Sequence, residues 1–177
     1  MEPELTHLLS RRPDQDDAVE VRYLDQGLHR TPARLPSLLQ EQVDLAAAQG
    51  ATRVALGYGL CSNGVVGLTA PRQGLIIPRC HDCIALFLGS PERYRELFSA
   101  RPGTYYLTPG WIAGKNDPLG LVAEQAPRFG LKTARWLVEE ELKNYTHIAL
   151  IDTGVHAIAA LRRRARENAA SLGKRYE

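Results

Sequence analysis

The strongest constraint on this chain is the way short apolar runs alternate with helix start and stop signals along nearly its whole length. Arg53–Tyr58 (RVALGY) and Gly74–Pro78 (GLIIP) are brief and almost continuously apolar, as in strands covered on both faces. Thr104–Thr108 (TYYLT) and His147–Asp152 (HIALID) also read as strands, and Val19–Leu24 (VEVRYL) alternates apolar and polar residues in the strand period. Helical signals fall between them. Thr31-Pro32 supplies a cap and a first-turn proline for a helix to about Gln49, stopped by Gly50. Ser90-Pro91 opens another through about Ser99. Asp117–Phe129 and Leu131–Asn144 read as helices broken at Gly130, and His156–Leu172 as a helix with a basic outer face. Met1–Arg12 reads as helical, with Pro13 and the acidic run Asp14–Asp17 ending it, and Pro109–Lys115 as a loop carrying Trp111.

Strands alternating with helices predict an α/β chain, a Rossmann-like three-layer sandwich on a largely parallel sheet. A length of 177 residues suits a single domain over 1–177. The chain opens without a buried strand and closes on Gly173–Glu177, a helix stop followed by what reads as a strand start. The expectation is therefore a domain cut short at one or both ends, without a first or a last strand.

Composition removes several classes. Hydrophobic residues at 44% and charged residues at 24% are those of an ordinary soluble globular protein. Lys+Arg 22 against Asp+Glu 20 leaves a formal charge of +2, with no call for nucleic acid or an acidic membrane surface. No apolar run approaches the roughly 20 residues of a membrane helix. The opening MEPELTHLLSRRPDQDD carries charges where a signal peptide has its apolar core, so a cytoplasmic location is expected. Three cysteines are too few for a disulfide framework and suit a reducing compartment.

Those cysteines are the main chemical signal. Open α/β sheets bind ligands beyond the carboxyl ends of their strands. Two loops leave strands at that edge: GYGLCSNG at the end of the RVALGY strand and PRCHDC at the end of the GLIIP strand. If the two strands are neighbours, Cys61 faces His81, Cys83 and Cys80. Thiolates and imidazole are preferred zinc ligands, and thiolates hold iron–sulfur clusters. His81 and Cys83 are two apart and point the same way in an extended segment, whereas Cys80 points elsewhere unless the loop turns. Cys61, His81 and Cys83 with an open position is the most economical site. Two plainer readings stand beside it. The cysteines could be small packed hydrophobes, or Cys61 or Cys83 could be a metal-free nucleophile with His81 as base.

The surrounding residues add candidates. Gly59 and Gly64 could bring backbone N–H groups close to a cofactor, or simply make a tight turn. Asn63 tolerates the left-handed region or donates to a ligand. The spacing is neither GxGxxG nor a Walker pattern. Asp82 could support a metal ligand, act as a general base, or cap the segment after it. His29, in GLHRTP, could line the same crevice as a catalytic group. Trp111 could wall a flat pocket, and Asp152-Thr153-Gly154 could contact an anion or cap a helix. The run Arg162–Arg166 is most simply a solvated face.

Taken together, YLDQGLH, GYGLCSNGVVGL, IIPRCHDCIALFLGSPERY and PGTYYLTPGW resemble a family defined as a domain of unknown function, numbered 1638. HIALIDTG is a further piece of the same likeness. The resemblance implies bacterial and archaeal relatives encoded near corrinoid-dependent methyl-transfer genes. It also implies an additional opening strand bearing a cysteine, which this chain lacks. The family positions that map here are Cys61, His81, Asp82 and Cys83, with Cys80 ranked below them. Zinc methyltransferases that activate thiols offer a similar ligand set, in reversed order and on larger barrels, so the likeness is one of ligand chemistry and not of fold. The expectation is a small zinc protein (alternatively iron–sulfur) acting in or beside corrinoid metabolism. A metal-free cysteine enzyme or a non-catalytic partner of a methyltransferase is the alternative. Expected partners are a small-molecule substrate or a corrinoid or methyltransferase protein, with no nucleic acid, no membrane, and a homodimer as an open possibility.

Overall fold

The computed structural model describes residues 2–11, 18–25, 27–28, 31–60, 63–155 and 157–177. The order is α1 (Glu2–Ser10), a short 3-10 turn (Pro32–Arg34), α2 (Leu35–Ala48), β1 (Val54–Ala55), β2 (Leu75–Ile76), α3 (Cys83–Phe87) and α4 (Pro91–Ala100). β3 (Thr104–Leu107), α5 (Pro109–Ala113), α6 (Pro118–Phe129), α7 (Leu131–Glu141), β4 (His147–Leu150), α8 (Ile158–Ser171) and β5 (Arg175–Tyr176) follow. The protein is a mixed α/β chain with two small parallel sheets, β1-β2 and β3-β4-β5.

The described chain divides into two compact units, one of Met1–Val21 with Arg95–Glu177 and one of Arg22–Tyr94. In the first, β3 and β4 pair along their full length, Thr104 opposite His147 through Leu107 opposite Leu150. Leu107 and Ile148 are fully buried and pack with Ala165 and Ala169 of α8. Small residues on α8 let the helix settle closely on the sheet. Burying each of those large side chains contributes roughly 2 kcal/mol. α6 opens at Asp117 with a first-turn proline, and α6 and α7 are separated by Gly130 at φ 78, a left-handed conformation that favours glycine. The buried Asp117 carboxylate accepts from Arg164 Nε and Asn168 Nδ2, both at 2.7 Å, and Asn168 Oδ1 accepts from Leu119 N–H at 2.8 Å. The start of α6 is thereby clamped to α8.

In the second unit, Leu35 and Leu39 of α2 pack with Val65, and Leu24, Leu28, Leu56, Tyr58 and Leu68 close around them. β1 and β2 pair over two residues each, Val54 with Leu75 and Ala55 with Ile76.

Several expectations shift. The run Val19–Leu24 forms no strand: residues 18–25 carry no regular structure. Alternation alone is not enough, since a strand needs a partner for its main-chain groups. The loop expected over Pro109–Lys115 contains α5, started by Thr108, whose Oγ accepts from Trp111 N–H at 3.1 Å. Gly50 does end α2, at φ 86, and Arg175–Tyr176 is a strand as the terminal residues suggested.

Candidate functional site

β1 and β2 are parallel neighbours, so the loops leaving their carboxyl ends start side by side. Leu56 N–H donates to Ile76 O at 2.9 Å and continues the pairing. Further out, Leu60 N–H donates to Cys80 O at 3.0 Å. Between these contacts the Gly59 backbone presses on Asp82: a Cβ at Gly59 would lie 2.9 Å from the Asp82 carbonyl carbon and 3.1 Å from its Cα. Only glycine permits that approach. The glycine loop and the RCHDC segment therefore meet.

Asp82 is the hinge of the second segment. Its backbone is extended, and it stands at the N-cap of α3. Oδ1 accepts from Ile84 N–H at 2.9 Å and more weakly from Ala85 N–H at 3.4 Å. Oδ2 accepts from the Tyr94 hydroxyl at 2.9 Å. Both oxygens serve the local structure, and Tyr94 was not singled out by the sequence, since nothing in a lone tyrosine twelve positions on announces the pairing. Cys80 is buried at 7% exposure, His81 is exposed, and Cys83, the first residue of α3, is partly exposed. Asn63 is exposed in the left-handed region at φ 59, and Gly64 is buried. Cys61 and His29 lie outside the described residues.

The metal-binding reading of these loops is corrected. Among the described residues no group of three or more His, Cys, Asp or Glu side chains could hold a metal ion. The physical reason lies in the segment itself. Cys80 is turned into the interior, His81 faces solvent, and Asp82 is occupied by α3 and Tyr94. The zinc or iron–sulfur function, and the role in corrinoid metabolism built on it, fall with that finding.

The same unit contains a cavity of about 560 Å³ lined by Leu24, Asp25, Gly27, Leu28, Thr31, Arg34 and Leu38. Four of its lining residues fall within the YLDQGLH stretch, whose residue types announce no cavity. Leu24 and Leu28 also pack in the cluster that holds Tyr58 and Val65, so the cavity wall and the glycine loop share one core. Asp25 is fixed in a tight turn, its Oδ1 accepting from Gly27 N–H at 2.6 Å. His29 would fall between the lining residues Leu28 and Thr31 in sequence.

In the other unit, the carboxyl ends of β3 and β4 carry Trp111 and Asp152-Thr153-Gly154. Trp111 Nε1 donates to the Tyr105 hydroxyl at 3.1 Å. Burial pushes the Tyr105 phenol above its ordinary value, and the Trp111 hydrogen bond opposes that shift. Asp152 Oδ1 accepts from Gly154 N–H at 3.0 Å, and Thr153 Oγ1 donates to the buried Glu4 at 3.2 Å. Arg162 and Arg163 face Asp152 and Glu167 at 3.7 and 3.9 Å, Arg164 serves Asp117, and Arg166 lies over the Tyr176 ring. No helix of the described residues is long and apolar enough to cross a membrane.

Two small parallel sheets among helices, with the loops that leave β1 and β2 in contact, define a mixed α/β protein. The chain belongs to the family described as proteins of unknown function (DUF1638), whose model matches residues 23–177. That description names no activity and no corrinoid chemistry. No curated protein and no solved structure matches the chain.

Proposed function

We propose that the protein binds a small amphipathic zwitterion, a molecule of the amino-acid type, in the cavity lined by Leu24, Asp25, Leu28, Thr31, Arg34 and Leu38. The supporting observation is the lining. About 560 Å³ lies within the range of roughly 300–1,000 Å³ typical of small-molecule sites. Leu24, Leu28 and Leu38 give an apolar wall, while Arg34 and Asp25 bring one charge of each sign. A guanidinium suits a ligand carboxylate through its paired donors. The Asp25 carboxylate, oriented by Gly27 N–H, suits an ammonium group. Thr31 adds a hydroxyl. We also infer a Rossmann-like arrangement, supported by parallel pairing in each sheet and by the helices that connect β3 to β4 and β4 to β5.

The test is calorimetric titration with a panel of apolar and polar amino acids, their N-acetyl derivatives and their amides. Arg34→Ala is expected to weaken binding at least tenfold, and N-acetylation of the ligand to weaken it similarly. Binding that ignores Arg34→Ala, or no binding by any member of the panel, would sink the proposal.

A further inference from the structure

The segment Cys80-His81-Asp82-Cys83 has a second property, independent of the cavity. It places two thiols three positions apart between β2 and α3, the strand–CxxC–helix order in which redox-active dithiols are found. The chain bends at His81 and Asp82, so the four residues do not run straight. Both ends are fixed. Cys80 N–H donates to Pro78 O at 2.9 Å and its carbonyl accepts from Leu60 N–H, while Cys83 follows an Asp82 held by Ile84 N–H and the Tyr94 hydroxyl. Both cysteines stand as thiols and not as a disulfide. Their exposures differ: Cys80 is buried and Cys83 partly accessible. That asymmetry matches the division of labour in dithiol exchange, where an accessible thiol meets the external disulfide and a sheltered one resolves the adduct.

We propose that Cys83 and Cys80 form a reversible redox dithiol that exchanges with disulfides of low-molecular-weight thiols. The Cys83 thiolate attacks one sulfur of a disulfide RSSR. The S–S bond breaks, and RS⁻ leaves with the bonding pair and takes a proton. The Cys80 thiol, losing its proton to solvent, attacks Sγ of Cys83 and displaces the second RS⁻, which is protonated in turn. Two cysteine thiols are oxidised to the Cys80–Cys83 disulfide, and RSSR is reduced to two RSH. Reduced thiol in excess reverses both steps.

The experiment treats the full chain with glutathione disulfide, alkylates remaining thiols and maps tryptic peptides. Cleavage after Arg79 and Arg93 leaves both cysteines in one peptide, CHDCIALFLGSPER, and Cys61 in VALGYGLCSNGVVGLTAPR. The expected product is the first peptide lighter by two hydrogens, with Cys61 still alkylated. Ring closure should be at least ~10-fold faster in the native protein than in 8 M urea, because the native segment is held bent. Cys80→Ser should accumulate a glutathione adduct on Cys83. A cross-link between the two peptides, unchanged thiols, or equal rates in urea would overturn the proposal. So would an adduct that forms as readily on Cys80 in Cys83→Ser, which would remove the assigned order of attack. The wild-type mapping stands even if a variant fails to fold.

Discussion

The two sheets solve the same problem with different means. Around β3 and β4, four-residue strands carry fully buried Leu107 and Ile148, and a buried carboxylate at Asp117 ties α6 to α8. Around β1 and β2 the pairing spans two residues a strand, Ile76 is 57% exposed, and the loops are joined by a main-chain bond and a glycine contact. The first region is held by side chains buried among one another. The second relies on main-chain contacts between its loops beside the Leu35, Leu39 and Val65 cluster, and it carries Cys80, Cys83, the glycine loop and the cavity. Loops positioned by a rigid scaffold are where binding and catalysis concentrate, and low local stability commonly goes with them.

Three substitutions probe this contrast. The largest effects are expected from Asp117→Ala and Gly59→Ala. The first leaves the buried Asn168 and the partly exposed Arg164 without their carboxylate and should lower stability by about 2 kcal/mol, read as a shift of the urea midpoint. A loss below ~1 kcal/mol would make the clamp equivalent to a surface pair and erase the contrast. Gly59→Ala should cost about 2 kcal/mol, since the new methyl meets Asp82 main chain that has little room to yield. It should also accelerate amide exchange at Leu60 while leaving Ile148 protected. Unchanged exchange at Leu60 would mean that the two loops do not depend on the close approach.

The smallest effect at neutral pH is expected from Tyr105→Phe, about 1 kcal/mol for the lost Trp111 hydrogen bond. Its pH dependence is the sharper readout. Burial raises the folded phenol above 10.0, so between that value and the folded one the unfolded chain has lost a proton that the folded chain keeps. The phenol's contribution is complete below pH 10.0 and is lost as pH rises through the folded value. Urea midpoints measured from pH 8 to 11 should fall more steeply at the alkaline end for wild type than for Tyr105→Phe. Parallel slopes would show that Tyr105 is not the group responsible.

Much of the element order was legible because local chemistry announces it. Asp117-Pro118 and Ser90-Pro91 mark helix starts, Gly130 marks a break, and the apolar runs at Val54 and Leu75 mark strands that pair. The meeting of the glycine loop with RCHDC was also legible, as a consequence of parallel neighbours. What escaped was anything set by the surroundings. Val19–Leu24 has strand periodicity, but residues 18–25 form no strand. The Asp117–Asn168 bond spans 51 positions, and no spacing rule reaches that far. The metal expectation rested on residue type at a sheet edge. It failed where type gives way to orientation, with Cys80 turned inward and Asp82 already occupied.

The bond from Leu60 N–H to Cys80 O has a consequence for how this surface can change over time. It joins two loops through atoms that every residue except proline can supply at the donor and every residue at the acceptor. Substitutions at the exposed Leu60 can alter the chemistry on display without unfastening the loops. With Gly59 and the Asp82 cap retained, the pair of loops is a mount on which different side chains can be tried while the mount itself stays put.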